Sequence, residues 1–199
     1  VNIQKLKDAS DHELMEYLIQ GHSSAFEELV QRYQKSITNF IFCLIHDSNR
    51  ALDLSQETFI RVFKNAKRYT PKANFSTWIY TIASNLAKDD LKSKKWRNLA
   101  SLDKPLQEEE GKVLGSSLEG KESSPFERLE TQERALVVRE ILETIHEPYR
   151  STLILRDFED FSYEEIAQIQ NCSLGTVKSR VNRGRLQFKE KYSNRYLEK

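Results

Sequence analysis

Residues 162–191 read SYEEIAQIQNCSLGTVKSRVNRGRLQFKEK, and the fold of the chain turns on this stretch. Ser162-x-x-Glu165 has the spacing of a capping box, which predicts a short helix over about Ser162–Gln170 carrying Ile166 and Ala167. Gln170-Asn171-Cys172-Ser173 then breaks that helix. Asn171 suits a left-handed turn, and Ser173 suits the N-cap of a second helix over about Leu174–Lys191. At about 100° per residue, Leu174, Val177, Val181, Gly184 and Phe188 gather on one side of the second helix. Lys178, Ser179 and Asn182 point nearly opposite, with Arg183 flanking them, and Leu186 shares the outer side with no role assigned to it.

The spacing resembles a helix-turn-helix: a small residue, Ala167, where the helices touch, a turn residue four later, and Val177 packing inward six beyond that. A helix packed on one face and lined with Lys, Ser, Asn and Arg on the other has the chemistry of major-groove reading. Arg and Lys donate to guanine, and Asn pairs in bidentate fashion with adenine. An ordinary amphipathic surface helix would share the periodicity but not the turn. Charge agrees once it is resolved by position. The whole chain carries a net +1, yet residues 176–199 hold eight basic residues against two acidic, and residues 88–97 hold five against two. Residues 101–130 between them hold eight acidic against four basic. Basic stretches are the usual electrostatic footprint on nucleic acid, although a solvated lysine face would look alike on charge alone.

At 199 residues the chain makes one large domain or two small ones. No apolar run reaches the ~18 residues of a membrane span, and VNIQKLKDASDHEL at the N-terminus lacks the apolar stretch of a signal peptide. Two cysteines and four histidines exclude a disulfide framework and disfavour a multi-ligand zinc site. Six glycines and four prolines argue against many-turned β architectures, and no Gly-rich phosphate loop is present. An all-α protein of a reducing, cytoplasmic compartment is expected.

Upstream, Ser10-x-x-Glu13 predicts a short helix over Asp11–Gln20, stopped by Gly21. A second box, Ser24-x-x-Glu27, opens a longer helix whose Phe26, Leu29, Val30, Tyr33, Ile37, Phe40, Ile41 and Leu44 keep the helical rhythm to about His46. A third helix is expected over about Asn49–Lys67, with Leu52, Phe59, Val62, Phe63 and Ala66 as its core stripe. After Thr70-Pro71 a fourth starts near Ser76 and buries Trp78, Ile79, Ile82, Ala83 and Leu86. Residues 101–125 hold two of the four prolines and three of the six glycines with few aliphatics, the composition of a flexible acidic linker. Periodicity returns with Leu129, Leu136, Val138, Ile141, Leu142 and Ile145. Pro148 then fits a first helical turn, followed by Leu153, Ile154 and Leu155. The expected organisation is a helical bundle over residues 1–98, a linker over 99–127 and a second helical domain over 128–199.

Two further surfaces bear on function. On the third helix Asp53, Gln56, Glu57, Ile60 and Lys64 form a face away from the core stripe. Carboxylates and amides around an isoleucine suit a protein contact, because phosphate would repel the carboxylates; a merely solvated face reads the same way. The fourth helix presents Asn85, Lys88, Asp89, Lys92 and Lys95 on its polar side. It follows an aromatic-bracketed loop, Tyr69-Thr70-Pro71-Lys72-Ala73-Asn74-Phe75. Aromatic rings beside a basic surface suit unpaired bases, and Tyr69 and Phe75 equally suit anchors of the loop.

Together these segments resemble an RNA polymerase sigma factor of the sigma-70 family, of the extracytoplasmic-function (ECF, group 4) type. LDLSQETFIRVFKNAKRYTPKANFSTWIYTIASNLAKDDLK resembles sigma region 2, and HEPYRSTLILRDFEDFSYEEIAQIQNCSLGTVKSRVNRGR resembles region 4. No segment resembles regions 1.1 or 3 of the housekeeping factors. The resemblance implies a bundle and a helix-turn-helix domain. It implies docking of Asp53, Gln56, Glu57 and Ile60 on the β′ clamp helices of core polymerase, with a second contact on the β flap. It implies capture of single-stranded −10 DNA by the Tyr69–Phe75 loop with Lys72 and Asn74, and by Asn85, Lys88 and Lys92. Duplex −35 DNA would be met by Lys178, Ser179, Arg180, Asn182, Arg183 and Arg185. Many family members have an arginine where Lys178 stands and an aromatic or histidine where Asn182 stands, differences that bear on −35 preference. The resemblance further implies a monomer when free, an anti-sigma partner, no membrane insertion, and no metal, cofactor or catalytic residue.

Two other readings compete. A dimeric helix-turn-helix regulator with a helical sensing domain would leave the 53–64 face without a role. An enzyme would have to use Asp89-Asp90, which point about 100° apart on a helix, or Cys43 with His46, which lack a partner pair. Cys172 in the turn reads as a redox sensor or as a packed thiol.

Overall fold

The computed structural model describes residues 3–70, 74–100 and 125–197, with side chains over 5–70, 74–96 and 134–195. The helices are α1 (Ile3–Asp8), α2 (Asp11–Ile19), α3 (Ser23–Ile45), α4 (Ser48–Lys64), α5 (Phe75–Ala100), α6 (Pro125–Glu143), α7 (Glu147–Asp157), α8 (Tyr163–Gln170) and α9 (Leu174–Leu197), with a 3₁₀ turn at Ala66–Arg68. No strand occurs among the described residues, so the all-α expectation holds. The chain divides into two compact units, one holding α1–α5 and the other built on α6, α7 and α9. The expected linker, 99–127, lies outside the described residues, apart from Leu99 and Ala100, which end α5, and the first turn of α6.

In the first unit α2 starts as read. Ser10 Oγ accepts from Glu13 N at 3.3 Å, and the Glu13 carboxylate accepts from Ser10 N at 2.7 Å. The Ser10 N–H foremost, and then the Ser10 hydroxyl, which donates to the same carboxylate at 2.7 Å, hold the Glu13 carboxyl below its ordinary range. Gly21, at φ +97°, closes the helix: its N–H reaches Leu18 O, and the His22 N–H reaches Tyr17 O, both at 3.0 Å. This turn reverses the chain so tightly that α3 begins at Ser23, with His22 as an N-cap lacking a side-chain bond. The expected Ser24–Glu27 box is therefore not the start of the helix.

Helix α3 buries Leu29, Ile37, Phe40, Ile41 and Leu44 and carries α2, α4 and α5 on its surface. Helix α1 has no sequence signal of its own. Leu6 is buried, and the Arg32 guanidinium of α3 donates to Leu6 O and Lys7 O while pairing with Asp11 and Glu28.

Helix α4 corrects the expected stripe. Its core face is Ala51, Leu54, Ser55, Thr58, Phe59 and Val62, whereas Leu52 is 39% and Phe63 53% exposed. Small hydroxyl residues sit inside because their polar atoms find partners. Thr58 Oγ1 donates to Leu54 O at 2.7 Å, and Ser55 Oγ accepts from Thr38 of α3 at 2.9 Å. The helix ends at Lys64 rather than Lys67, and Ala66 packs from the 3₁₀ turn instead. Its start is capped by Asp47, whose carboxylate accepts from Arg50 N at 2.9 Å and pairs with Lys94 of α5 at 3.2 Å. Helix α5 buries Ile79, Tyr80, Ala83, Leu86 and Ala87, leaving Trp78 and Ile82 half-buried.

The second unit encloses Ile141, Leu142, Ile145, Leu153, Ile154, Leu155, Phe161, Ile166, Val177 and Val181. Leu136, expected inside, is exposed, and the Leu129 side chain is not among those described. Pro148 stands in the first turn of α7 as read. Buried Arg150 donates to Glu143 O at 3.1 Å, meeting one of the terminal carbonyls that α6 leaves open.

Candidate nucleic-acid interface

The helix-turn-helix forms with the local chemistry its residues dictate. Ser162 and Glu165 make a reciprocal box, with Ser162 N to the Glu165 carboxylate at 2.9 Å and Glu165 N to Ser162 Oγ at 3.2 Å. Asn171 takes φ +48°, Cys172 N bonds Ala167 O at 3.0 Å, and Ser173 Oγ accepts from Thr176 N at 3.2 Å. Val177 and Val181 are buried beneath α9. Gly184 lies so close to α7 that a Cβ there would stand 3.2 Å from Tyr149 O.

The opposite face of α9 is open. Lys178, Ser179 and Asn182 are all exposed, and Leu186 lies on the same side. The other basic residues are held from the flanks. Arg183 donates to the Tyr149 hydroxyl at 3.1 Å, and Arg180 Nη1 stands 3.7 Å from Cys172 Sγ. Arg185 makes two bonds to the Asp157 carboxylate, at 3.1 and 2.5 Å, and this pairing raises its already high pKa further. Cys172 is half-buried, and neither cysteine is in a disulfide.

On α5, Asn85 and Lys92 are exposed and Lys88 is half-buried. Trp96, missed in the sequence, shares their bearing eleven residues after Asn85 and is exposed. The aromatic loop residues divide. Tyr69 is half-buried, its ring 5.3 Å from that of Trp78 and 6.3 Å from His12. Phe75 is only 2% exposed and packs on Tyr33 at 5.2 Å, so it anchors the loop and offers no face for a base. Asn74 is exposed, and Lys72 lies outside the described residues.

On α4, Asp53 and Gln56 are exposed, Glu57 is half-exposed in an ion pair with Arg61 at 2.9 Å, and Ile60 is 45% exposed. Leu52 and Phe63 extend this face, with Phe63 edge-on to Phe26 of α3 at 5.2 Å. Sequence reading missed both because they pass for core by hydropathy. The signal that separates them is their eleven-residue spacing, which gives them one bearing on the flank of the core face.

Asp89 and Asp90 diverge, as expected of neighbours on a helix. Asp90 is buried against Arg50 Nε at 2.7 Å, while Asp89 lies outside near Lys92. Among the described residues no cluster of three or more His, Cys, Asp or Glu is placed to hold a metal. No described helix is long and apolar enough to cross a membrane.

Comparison with known proteins agrees with this geometry. The family model for Sigma-70 region 2 matches residues 29–97, and that for Sigma-70, region 4 matches residues 127–188. The RNA polymerase sigma-H factor of Pseudomonas aeruginosa is 34% identical over 187 residues, spanning 90% of this chain and 92% of that one. The ECF RNA polymerase sigma-E factor of Escherichia coli is 33% identical over 88% of this chain and 91% of its own length. The ECF RNA polymerase sigma factor SigW of Bacillus subtilis is 30% identical over 83% and 87%. Among solved structures, the sigma factor RpoE in complex with the anti-sigma factor NepR from Bartonella quintana superimposes with a TM-score of 0.67 at 21% identity, covering 84% of this chain and 96% of that one. CnrH in complex with the cytosolic domain of CnrY has the same TM-score at 18% identity, covering 94% and 99%. Helix-turn-helix, α5 stripe and α4 face thus occur in one chain with family matches over both halves: it belongs to the ECF group of sigma-70 factors, the proteins with which RNA polymerase initiates transcription.

Proposed function

We propose that the chain brings core RNA polymerase to promoters by reading duplex −35 DNA with α9 and holding the melted −10 strand along α5. The observation that carries this reading is the two-sidedness of α9: Val177 and Val181 are buried on one side, while Lys178, Ser179 and Asn182 stand exposed on the other. Lys178, Ser179, Arg180, Asn182, Arg183 and Arg185 form the −35 reading set. At −10, Tyr69 offers the accessible ring and Asn85, Lys88 and Lys92 line the strand, with Lys72 and Asn74 in the loop. The α4 face of Leu52, Asp53, Gln56, Glu57, Ile60 and Phe63 docks on the β′ clamp helices, and the second domain contacts the β flap.

Residues 1–98, 99–127 and 128–199 serve as the −10 domain, the acidic linker and the −35 domain. Each DNA contact alone is weak. Docking on polymerase makes the second contact intramolecular, so an effective concentration replaces a second bimolecular encounter. Melting follows because capture of an unpaired base offsets the few kcal/mol needed to unstack it. The factor therefore works by binding energy, in the cytoplasm, as a monomer when free. The complex of the solved relative RpoE with the anti-sigma factor NepR supports an anti-sigma partner here.

Transcription in vitro with core polymerase, followed by mapping of start sites, tests the proposal. Defined starts sharing two spaced sequence elements are expected. No initiation above that of core polymerase alone would overturn it. Gel filtration with core polymerase separates it from a dimeric regulator, which would not co-elute.

A further inference from the structure

A groove of about 550 Å³ lies between the start of α7 and the N-terminal half of α9, with His146, Tyr149, Ser179, Arg180 and Arg183 among its walls. Three residues converge there on Tyr149. Gly184 lets α9 approach α7 closely, since an added Cβ would stand 3.2 Å from Tyr149 O and 3.6 Å from Tyr149 Cβ. That approach carries the preceding residue, Arg183, over the tyrosine ring, with the guanidinium carbon 6.0 Å from the ring centre. Arg183 Nη1 then donates to the Tyr149 hydroxyl at 3.1 Å. The His146 ring stands 5.7 Å from Tyr149 and confines its ring from another side.

A guanidinium carries five N–H donors, and Tyr149 engages one of them. The remaining donors stay available for a base, and guanine is the partner whose O6 and N7 accept an arginine fork. An untethered arginine would have to surrender its rotamer freedom at the moment of reading. One already held by a neighbouring hydroxyl and ring gives up less.

We propose that Tyr149, outside the recognition helix, is a positioning residue that presets Arg183 for guanine in the −35 element, so that specificity on α9 depends on a hydroxyl from α7. The inference rests on the reading of α9 as the −35 helix.

The test uses the full chain reconstituted with core polymerase, on promoters altered one −35 base pair at a time, comparing Tyr149→Phe, Arg183→Ala and Asn182→Ala. Tyr149→Phe keeps the ring and its packing. It should lower discrimination about three- to tenfold at one position, the position at which Arg183→Ala abolishes it, and leave other −35 positions and the −10 preference unchanged. Undiminished discrimination, or a uniform loss on every −35 variant as expected of a mere packing residue, overturns the inference. If Arg183→Ala alters no preference while Asn182→Ala still does, the inference falls alone. If neither alters preference, the −35 reading of α9 falls with it.

Discussion

Asn182 shows how much a single position can decide. It stands exposed on α9, and its amide can pair with one adenine edge. Asn182→Ala should therefore remove discrimination worth about 1–3 kcal/mol at one −35 position, measured as binding across single-base promoter variants. Equal weakening on every variant would place Asn182 outside the base-reading set. Other side chains, on α9 and at the start of α5, have partners that their own sequence positions do not reveal. Arg185 counts as a DNA contact by its bearing, yet its guanidinium is shared with Asp157, 28 residues earlier. Phe75 counts as a stacking ring by composition, yet Tyr33, Tyr69 and Trp78 enclose it. Charge and aromaticity are visible in a sequence; the neighbour that neutralises or buries them is not.

Helices whose boundaries rest on local chemistry were legible, and those held by their neighbours were not. The Ser10, Ser162 and Ser173 caps each bond a group three residues away, so their spacing alone predicts them. The start of α4 belongs to the same class but gains a long-range partner, because Asp47 caps the helix and also meets Lys94 of α5. The backbone N–H of Arg50 holds the Asp47 carboxyl below its ordinary value; burial opposes it as the next effect, and Lys94 adds to the lowering. A depressed carboxyl stabilises the fold above its unfolded pKa and loses that stabilisation as pH falls through the folded one. Asp47→Ala should cost about 1 kcal/mol near neutrality, the size of a lost cap, because a side chain 41% exposed is well screened. The difference from the parent chain should shrink below about pH 4. Both tryptophans, Trp78 and Trp96, lie on α5, so urea unfolding followed by tryptophan fluorescence isolates this unit. A pH-independent difference would mean that the carboxylate is not the source.

At the scale of the whole molecule, the surfaces proposed for protein and for DNA lie on different helices, and each predicts a distinct defect. Glu57→Lys reverses a charge on the exposed α4 face and touches no core contact. It should abolish association with core polymerase in gel filtration while circular dichroism stays unchanged, and normal co-elution would remove this face from the mechanism. Lys92 is exposed on α5, at the 4.0 Å limit of a pair with Asp89. Lys92→Ala should weaken promoter binding by the reconstituted polymerase without changing preference and reduce the salt slope by about one. An unaltered slope would contradict a phosphate contact. The sequence by itself determined the all-helical class, the two-part division and the two-sided α9, because capping and periodicity act over three to seven residues and need no partner from elsewhere. Only the tertiary structure decided that α1 is a helix at all, that Leu52 and Phe63 face outward, and that Arg50, Arg183 and Arg185 are tethered. Those outcomes depend on side chains 25 to 40 residues distant, such as Arg32 on Lys7 and Arg50 on Asp90. Such contacts exist only once packing has brought the helices together, and no local pattern encodes them.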